Sequence, residues 1–108
     1  MKKLEILMLS VSDQQKAKEF YLKLGLQILV EAPAAHGQTW VQLGFPGQET
    51  SISLANFSGI IFETDNIEKE IEELKAKGIE LGKTDSTPWG KFAWLKDLDG
   101  NSLCLHQK

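Results

Sequence analysis

Cys104 and His106 stand two positions apart near the end of the chain. On an extended strand that spacing turns both side chains to one face. A thiol beside an imidazole is the pairing that makes a nucleophile, because the ring takes the thiol proton. The plainer reading is an inert buried thiol, since free cysteine is among the most buried residue types. Strand neighbours of this kind are about 6.5 Å apart, too far for a direct hydrogen bond unless the side chains lean together. Binding chemistry suits the remaining residues better. Trp40, Phe92 and Trp94, with Trp89 in a loop, offer aromatic faces to a planar or cationic ligand. The competing reading is core filling or a subunit interface. Gln42, Ser51 and Ser53 add uncharged polar groups that either orient a ligand or satisfy one another. His36 reads as a solvated loop side chain.

The elements that must position these residues occur twice. Residues 4–11 read as a buried strand, rich in Leu, Ile, Met and Val. Ser12 or Asp13 offers a helix N-cap, Ala17, Phe20, Tyr21 and Leu24 recur at helical spacing, and Gly25 is suited to the stop. Residues 27–30 read as a short strand, and Pro33 and Gly37 mark a loop. Residues 39–43 and 51–54 read as strands around a turn at residues 44–49. The order then repeats: a strand at 59–64, an N-cap at Asn66, and a helix with Ile67, Ile71 and Leu74 on one face. Gly78 closes that helix. A short strand at 79–81, a loop at 87–90 and strands at 92–95 and 103–105 follow. One interval separates Leu9 from Phe62, Asp13 from Asn66 and Gly25 from Gly78. Such a repeat fixes the architecture as two β-α-β-β-β modules that must pack to bury a core.

Period 2 assigns the faces. Leu7, Leu9, Val11, Val41, Leu43, Ile52, Leu54, Leu103 and Leu105 suit the side toward the helices. The other side collects Ile6, Met8, Ser10, Gln38, Trp40, Gln42, Ser51, Ser53, Ser102, Cys104 and His106. A face mixing aromatics with uncharged polar groups is a poor core and a good pocket wall. Glu63 shares that side, as its one negative charge or as a rim salt bridge.

The bulk numbers narrow the partners. A chain of 108 residues fits one compact domain. A net charge of −3 disfavours nucleic acid, which needs a basic surface, and mildly favours a cationic small molecule. The single cysteine rules out an internal disulfide. The first residues lack the apolar core of a signal peptide, and no apolar run approaches the ~20 residues of a membrane helix. A cytoplasmic protein with no membrane partner is expected.

The repeat, the pattern Lys18-Glu19-Phe20-Tyr21…Leu24-Gly25-Leu26 and the turn Asp97-Leu98-Asp99-Gly100-Asn101 together resemble the vicinal oxygen chelate superfamily. This is the glyoxalase, bleomycin-resistance and extradiol dioxygenase group, in whose final turn Pro is usual where Leu98 stands. The resemblance covers essentially the whole chain. It implies an α+β fold: two tandem βαβββ modules, about 1–56 and 57–108, forming a curled, cup-shaped mixed sheet with helices outside. It also implies a homodimer. Metal-dependent members hold a divalent ion with residues that correspond here to Ile6, Gly59 and Cys104, with Ser53 at a fourth, related position. Two of the first three have no side-chain donor, and a catalytic metal usually takes about three protein ligands. The resemblance therefore implies neither a metal nor another cofactor. Met8, Trp40, Gln42, Ser53, Phe92, Trp94, Cys104 and His106 are expected to contact a ligand in the cup, with no catalytic residue. The expected function is binding of an aromatic or cationic organic molecule, drug sequestration being one form. The rivals are a glyoxalase- or dioxygenase-like metalloenzyme with unconventional ligands, and a degenerate partner-binding module.

Overall fold

The structure, a computed structural model, describes residues 1, 3–34 and 37–108; His36 lies outside them. The chain forms two compact units, Ile6–Ser58 and Met1–Glu5 with Gly59–Lys108. Both follow the β-α-β-β-β order read from the sequence, and the class is α+β.

The Ile6–Ser58 unit contains most of β1 (Lys3–Ser10), then α1 (Gln14–Leu24), β2 (Gln27–Pro33), β3 (Thr39–Gly44) and β4 (Ser51–Ala55). The strands lie in the order β2-β3-β4-β1, with β1 and β4 parallel and the other pairs antiparallel. Helix α1 starts where the Asp13 carboxylate accepts the Lys16 N–H at 3.0 Å. It stops at Gly25, whose φ of 107° is costly for any residue with a Cβ. Val41, Leu43 and Leu54 form the core of this unit, with Val11, Ala17, Tyr21, Leu26 and Ile52 packed on it. Phe20 and Leu24 depart from expectation: they are 57% and 60% exposed. They lie one turn apart on a stripe beside Ala17 and Tyr21, and only the latter stripe faces the sheet. Phe20 meets the Tyr21 ring edge-on at 5.5 Å instead.

The second unit contains β5 (Gly59–Glu63), α2 (Ile67–Ala76), β6 (Asp85–Thr87), β7 (Gly90–Lys96) and β8 (Ser102–Gln107), in the strand order β5-β8-β7-β6. Asn66 caps α2 by accepting the Lys69 N–H at 3.1 Å. Ile67, Leu74, Ala93 and Leu105 are its core, joined by Phe62, Ile71 and Leu81. The strand expected at 79–81 is absent. After α2 the Ile79 N–H turns back to the Leu74 carbonyl at 2.9 Å, so this residue finishes the helix cap. The strand comes later, at Asp85–Thr87, and pairs with β7 around Pro88 and Trp89. The turn at residues 97–101 is held by the Asp97 carboxylate. It accepts the N–H groups of Asp99 and Asn101 and the Asn101 side-chain amide, each at 2.8 Å. Those bonds, led by the Asn101 side chain, hold its pKa below the ordinary carboxylate value. They also explain why Leu98, fully exposed, stands in this turn without a proline. Among the described residues no helix is long and apolar enough to cross a membrane.

Candidate functional site

The eight residues singled out from the sequence divide between the two units, and each set occupies one face of its strands. In the Ile6–Ser58 unit, Met8 is paired in register with Ser53, and Ser53 with Gln42. Period 2 puts Trp40, Ser51 and Ile6 on that same face, opposite the α1 side. Its polar groups form a chain. The Trp40 indole N–H donates to the Gln42 carbonyl oxygen at 3.0 Å, and the Gln42 amide donates to the Ser51 hydroxyl at 2.7 Å. Gln42 and Ser51 are thus satisfied within the unit, which was one of the two readings open from the sequence. Ser53 is not. Its hydroxyl is fully buried and has no hydrogen-bond partner among the described residues. Burying such a group unpaired costs about 1–3 kcal/mol. Met8 beside it is also buried, while Trp40 and Gln42 are half-buried.

In the second unit the cross-strand pairs are Trp94 with Cys104 and Phe92 with His106. Cys104 and His106 share a face, as their spacing requires, yet form no couple. The Cys104 thiol is fully buried and donates to the Leu105 carbonyl at 3.4 Å. Burial pushes its pKa up to about 12; the neighbouring Ala93 backbone opposes this, and the charges of Glu5 and Asp85 add to it. Burial of this kind favours the neutral thiol over the thiolate. The His106 ring is engaged on both nitrogens: Nδ1 lies 2.7 Å from the Glu5 carboxylate and Nε2 lies 2.8 Å from the Trp89 carbonyl oxygen. Phe92 stacks on the ring at 4.2 Å between centroids, within 3° of parallel. Burial alone would lower the His106 pKa. The Glu5 hydrogen bond and charge, with the Trp89 carbonyl, outweigh it and hold the pKa above the ordinary value, against a small contribution from Lys108.

Glu5 is the residue the sequence reading missed. Alternation places it with Leu7 and Leu9 on the helix side, whereas it is buried against His106. A lone carboxylate inside an otherwise apolar strand was the available signal, because such a charge needs a partner. Glu63 pairs with Lys108 Nζ at 3.0 Å. Two surface depressions, of about 310 and 140 Å³, lie beside the start of α2 and the end of β8, and none of the eight residues lines either.

The residues at the metal-ligand positions do not fit a divalent ion. Ile6 is apolar, Gly59 has no side chain, and the Cys104 thiol is buried and turned to a backbone carbonyl. Cys104 is then the one side-chain donor among the three, short of the about three protein ligands that a catalytic metal usually takes. Among the described residues, no three His, Cys, Asp or Glu side chains are grouped to hold a metal.

The comparisons with known proteins agree with the fold. The family described as Glyoxalase/Bleomycin resistance protein/Dioxygenase superfamily matches residues 3–105. The uncharacterized protein YetH of Bacillus subtilis (strain 168) is 34% identical over 109 residues, covering 90% of this chain and 91% of that one. TnmS3, an antibiotic binding protein from Streptomyces sp. CB03234, is 31% identical over 99% of this chain and 96% of that one, with a TM-score of 0.47. Methylmalonyl-CoA epimerase from Mycobacterium tuberculosis is 16% identical over 96% of this chain and 86% of that one. Its TM-score of 0.79 shows a shared fold. On its family match across nearly the whole length, the chain belongs to the glyoxalase/bleomycin resistance protein/dioxygenase superfamily.

Proposed function

We propose that the protein binds a small planar organic molecule, without a metal, on the face made by Met8, Trp40, Gln42 and Ser53. The Ser53 hydroxyl carries this reading: it is buried and unpaired in a face where Trp40, Gln42 and Ser51 are matched to one another. A ligand with one hydrogen-bonding atom would relieve that cost of about 1–3 kcal/mol, which the free protein bears. Trp40 supplies a stacking surface, and the Met8 thioether adapts to an irregular outline. Met8 and Ser53 are closed off in the free chain, and half-buried Trp40 is the more accessible part of the face. Ile6, Met8, Ser10, Gln38, Trp40, Gln42, Ser51 and Ser53 share this face with no ionisable group among them, so a neutral aromatic ligand suits it better than a cation. The carboxylates that would draw a cation, Glu5 and Glu63, are paired with His106 and Lys108. Sequestration of a drug-like molecule is one form such binding takes.

A variant carrying Trp89→Phe and Trp94→Phe leaves Trp40 as its only tryptophan, excited selectively at the red edge where Tyr21 does not absorb. Titrating it with panels of neutral and cationic planar compounds is expected to give saturable quenching by neutral members. Adding Ser53→Ala should weaken binding about tenfold, equivalent to ~1.4 kcal/mol. It should not lower stability, since it removes an unpaired group. Absence of quenching across both panels, or unchanged affinity in the Ser53→Ala protein, would overturn the proposal.

A further inference from the structure

Among the described residues the His106 ring faces two acceptors and no donor. The Glu5 carboxylate sits at Nδ1 and the Trp89 carbonyl oxygen at Nε2. Only the imidazolium carries an N–H on both nitrogens. A neutral ring has one N–H to give, and a carboxylate is the stronger acceptor for it. The Trp89 carbonyl would then face a nitrogen lone pair. The two contacts are therefore unequal: one survives loss of the proton and the other does not.

The contact that is lost holds a particular piece of chain. Trp89 lies in the turn between β6 and β7, with its side chain 60% exposed. Locally the turn is braced by Thr87, whose hydroxyl accepts the Trp89 N–H at 3.1 Å and donates to the Gly90 carbonyl at 2.9 Å. His106 ties this braced turn to β8. We propose that His106 is a proton-controlled latch, which as an imidazolium pins the Trp89 turn to β8 and on deprotonation releases the turn while remaining bound to Glu5.

The surrounding charges set the direction. Glu5 on β1 bonds the ring, and Glu63 on β5 is its register partner. Lys108 beyond β8 is paired with Glu63, and Lys91 on β7 is paired with Glu68. Asp85 on β6 is the register partner of Phe92, which stacks on the ring. Cys104, two residues along β8, titrates far above neutrality. With its pKa raised above the ordinary imidazole value, His106 holds the latch closed below its own midpoint and opens it as pH rises through that midpoint.

The test uses Trp40→Phe with Trp94→Phe, so that Trp89 is the only tryptophan and is excited selectively over Tyr21. Anisotropy and acrylamide quenching are followed from pH 5 to 10, and the His106 ring is titrated in parallel by NMR. Anisotropy is expected to fall, and quenching to rise, with one midpoint that coincides with the ring's own. Glu5→Gln should move both midpoints down together by about one pH unit or more, having removed the charge that holds the proton. His106→Phe keeps a ring against Phe92 and should give a mobile Trp89 at every pH. A flat anisotropy through the ring's midpoint overturns the latch, as does a midpoint that ignores Glu5→Gln. Should a variant fail to fold, the Trp89 backbone order parameter in the unmodified protein reads the same event, and a value constant across the ring's titration overturns it equally.

Discussion

Gly90→Ala is expected to destabilise the protein by on the order of 3 kcal/mol. Gly90 has a φ of 121°, and a Cβ there would lie 2.1 Å from the Gln107 carbonyl oxygen and 3.0 Å from its carbon. Both are backbone atoms of β8 and its end, so nothing flexible can move aside. Strain and overlap add, because relieving either pulls the β6–β7 turn from β8 and also strips Trp89 from His106. Gly25 is the internal control. Its φ is 107°, yet a Cβ would meet nothing within 4 Å. Gly25→Ala should cost only the backbone term, about 1 kcal/mol. Urea denaturation of the two variants separates these effects. With a slope of about 1–3 kcal/mol per molar urea, the Gly90 variant should lose a molar or more in midpoint. Equal midpoints would show that the close approach to β8 is not rigid.

Glu5→Ala is expected to cost about 3 kcal/mol at pH 5.5, and much less at pH 9. Glu5 and His106 are 9% and 6% exposed, and removing one member of a buried pair strands the other. The sign of the pH dependence follows from the raised pKa of His106. A group whose pKa is higher folded than unfolded stabilises fully below its unfolded value, near 6.5. That stabilisation is lost as pH rises through the folded value. Without Glu5, burial instead lowers the pKa of the ring, so protonation at acid pH works against folding. The gap between wild type and variant should therefore be widest below about pH 6.5 and close on the alkaline side. A gap independent of pH would mean that Glu5 contributes packing and not charge. Urea midpoints at the two pH values decide.

The parts of this molecule that were legible in the sequence share a property: each is dictated by local chemistry repeated in both modules. Asp13 and Asn66 cap the two helices, and Gly25 and Gly78 take positive φ just past them. The alternation of Val41, Leu43, Ile52 and Leu54 against Trp40, Gln42, Ser51 and Ser53 separates the faces of the first unit correctly. Long-range pairing was not legible. Nothing near Glu5 in sequence announces His106, and period 2 misplaces it because Glu5 and Ile6 are consecutive and both buried. The strand at Asp85–Thr87 was hidden for a related reason. It is polar and exposed, and only its hydrogen bonds to β7 define it. At the site, the residue types were legible but not their state. Spacing shows that Cys104 and His106 share a face; only the structure shows a neutral thiol on one and two occupied nitrogens on the other.

On this glyoxalase-type scaffold the proposed binding needs no metal. Native mass spectrometry of protein purified without chelators tests it most directly. Expected are a chain mass with no divalent ion and uptake of a neutral planar compound that EDTA leaves unchanged. One zinc, nickel, manganese or iron ion retained per chain, and a ligand adduct that appears only with that ion, would contradict it.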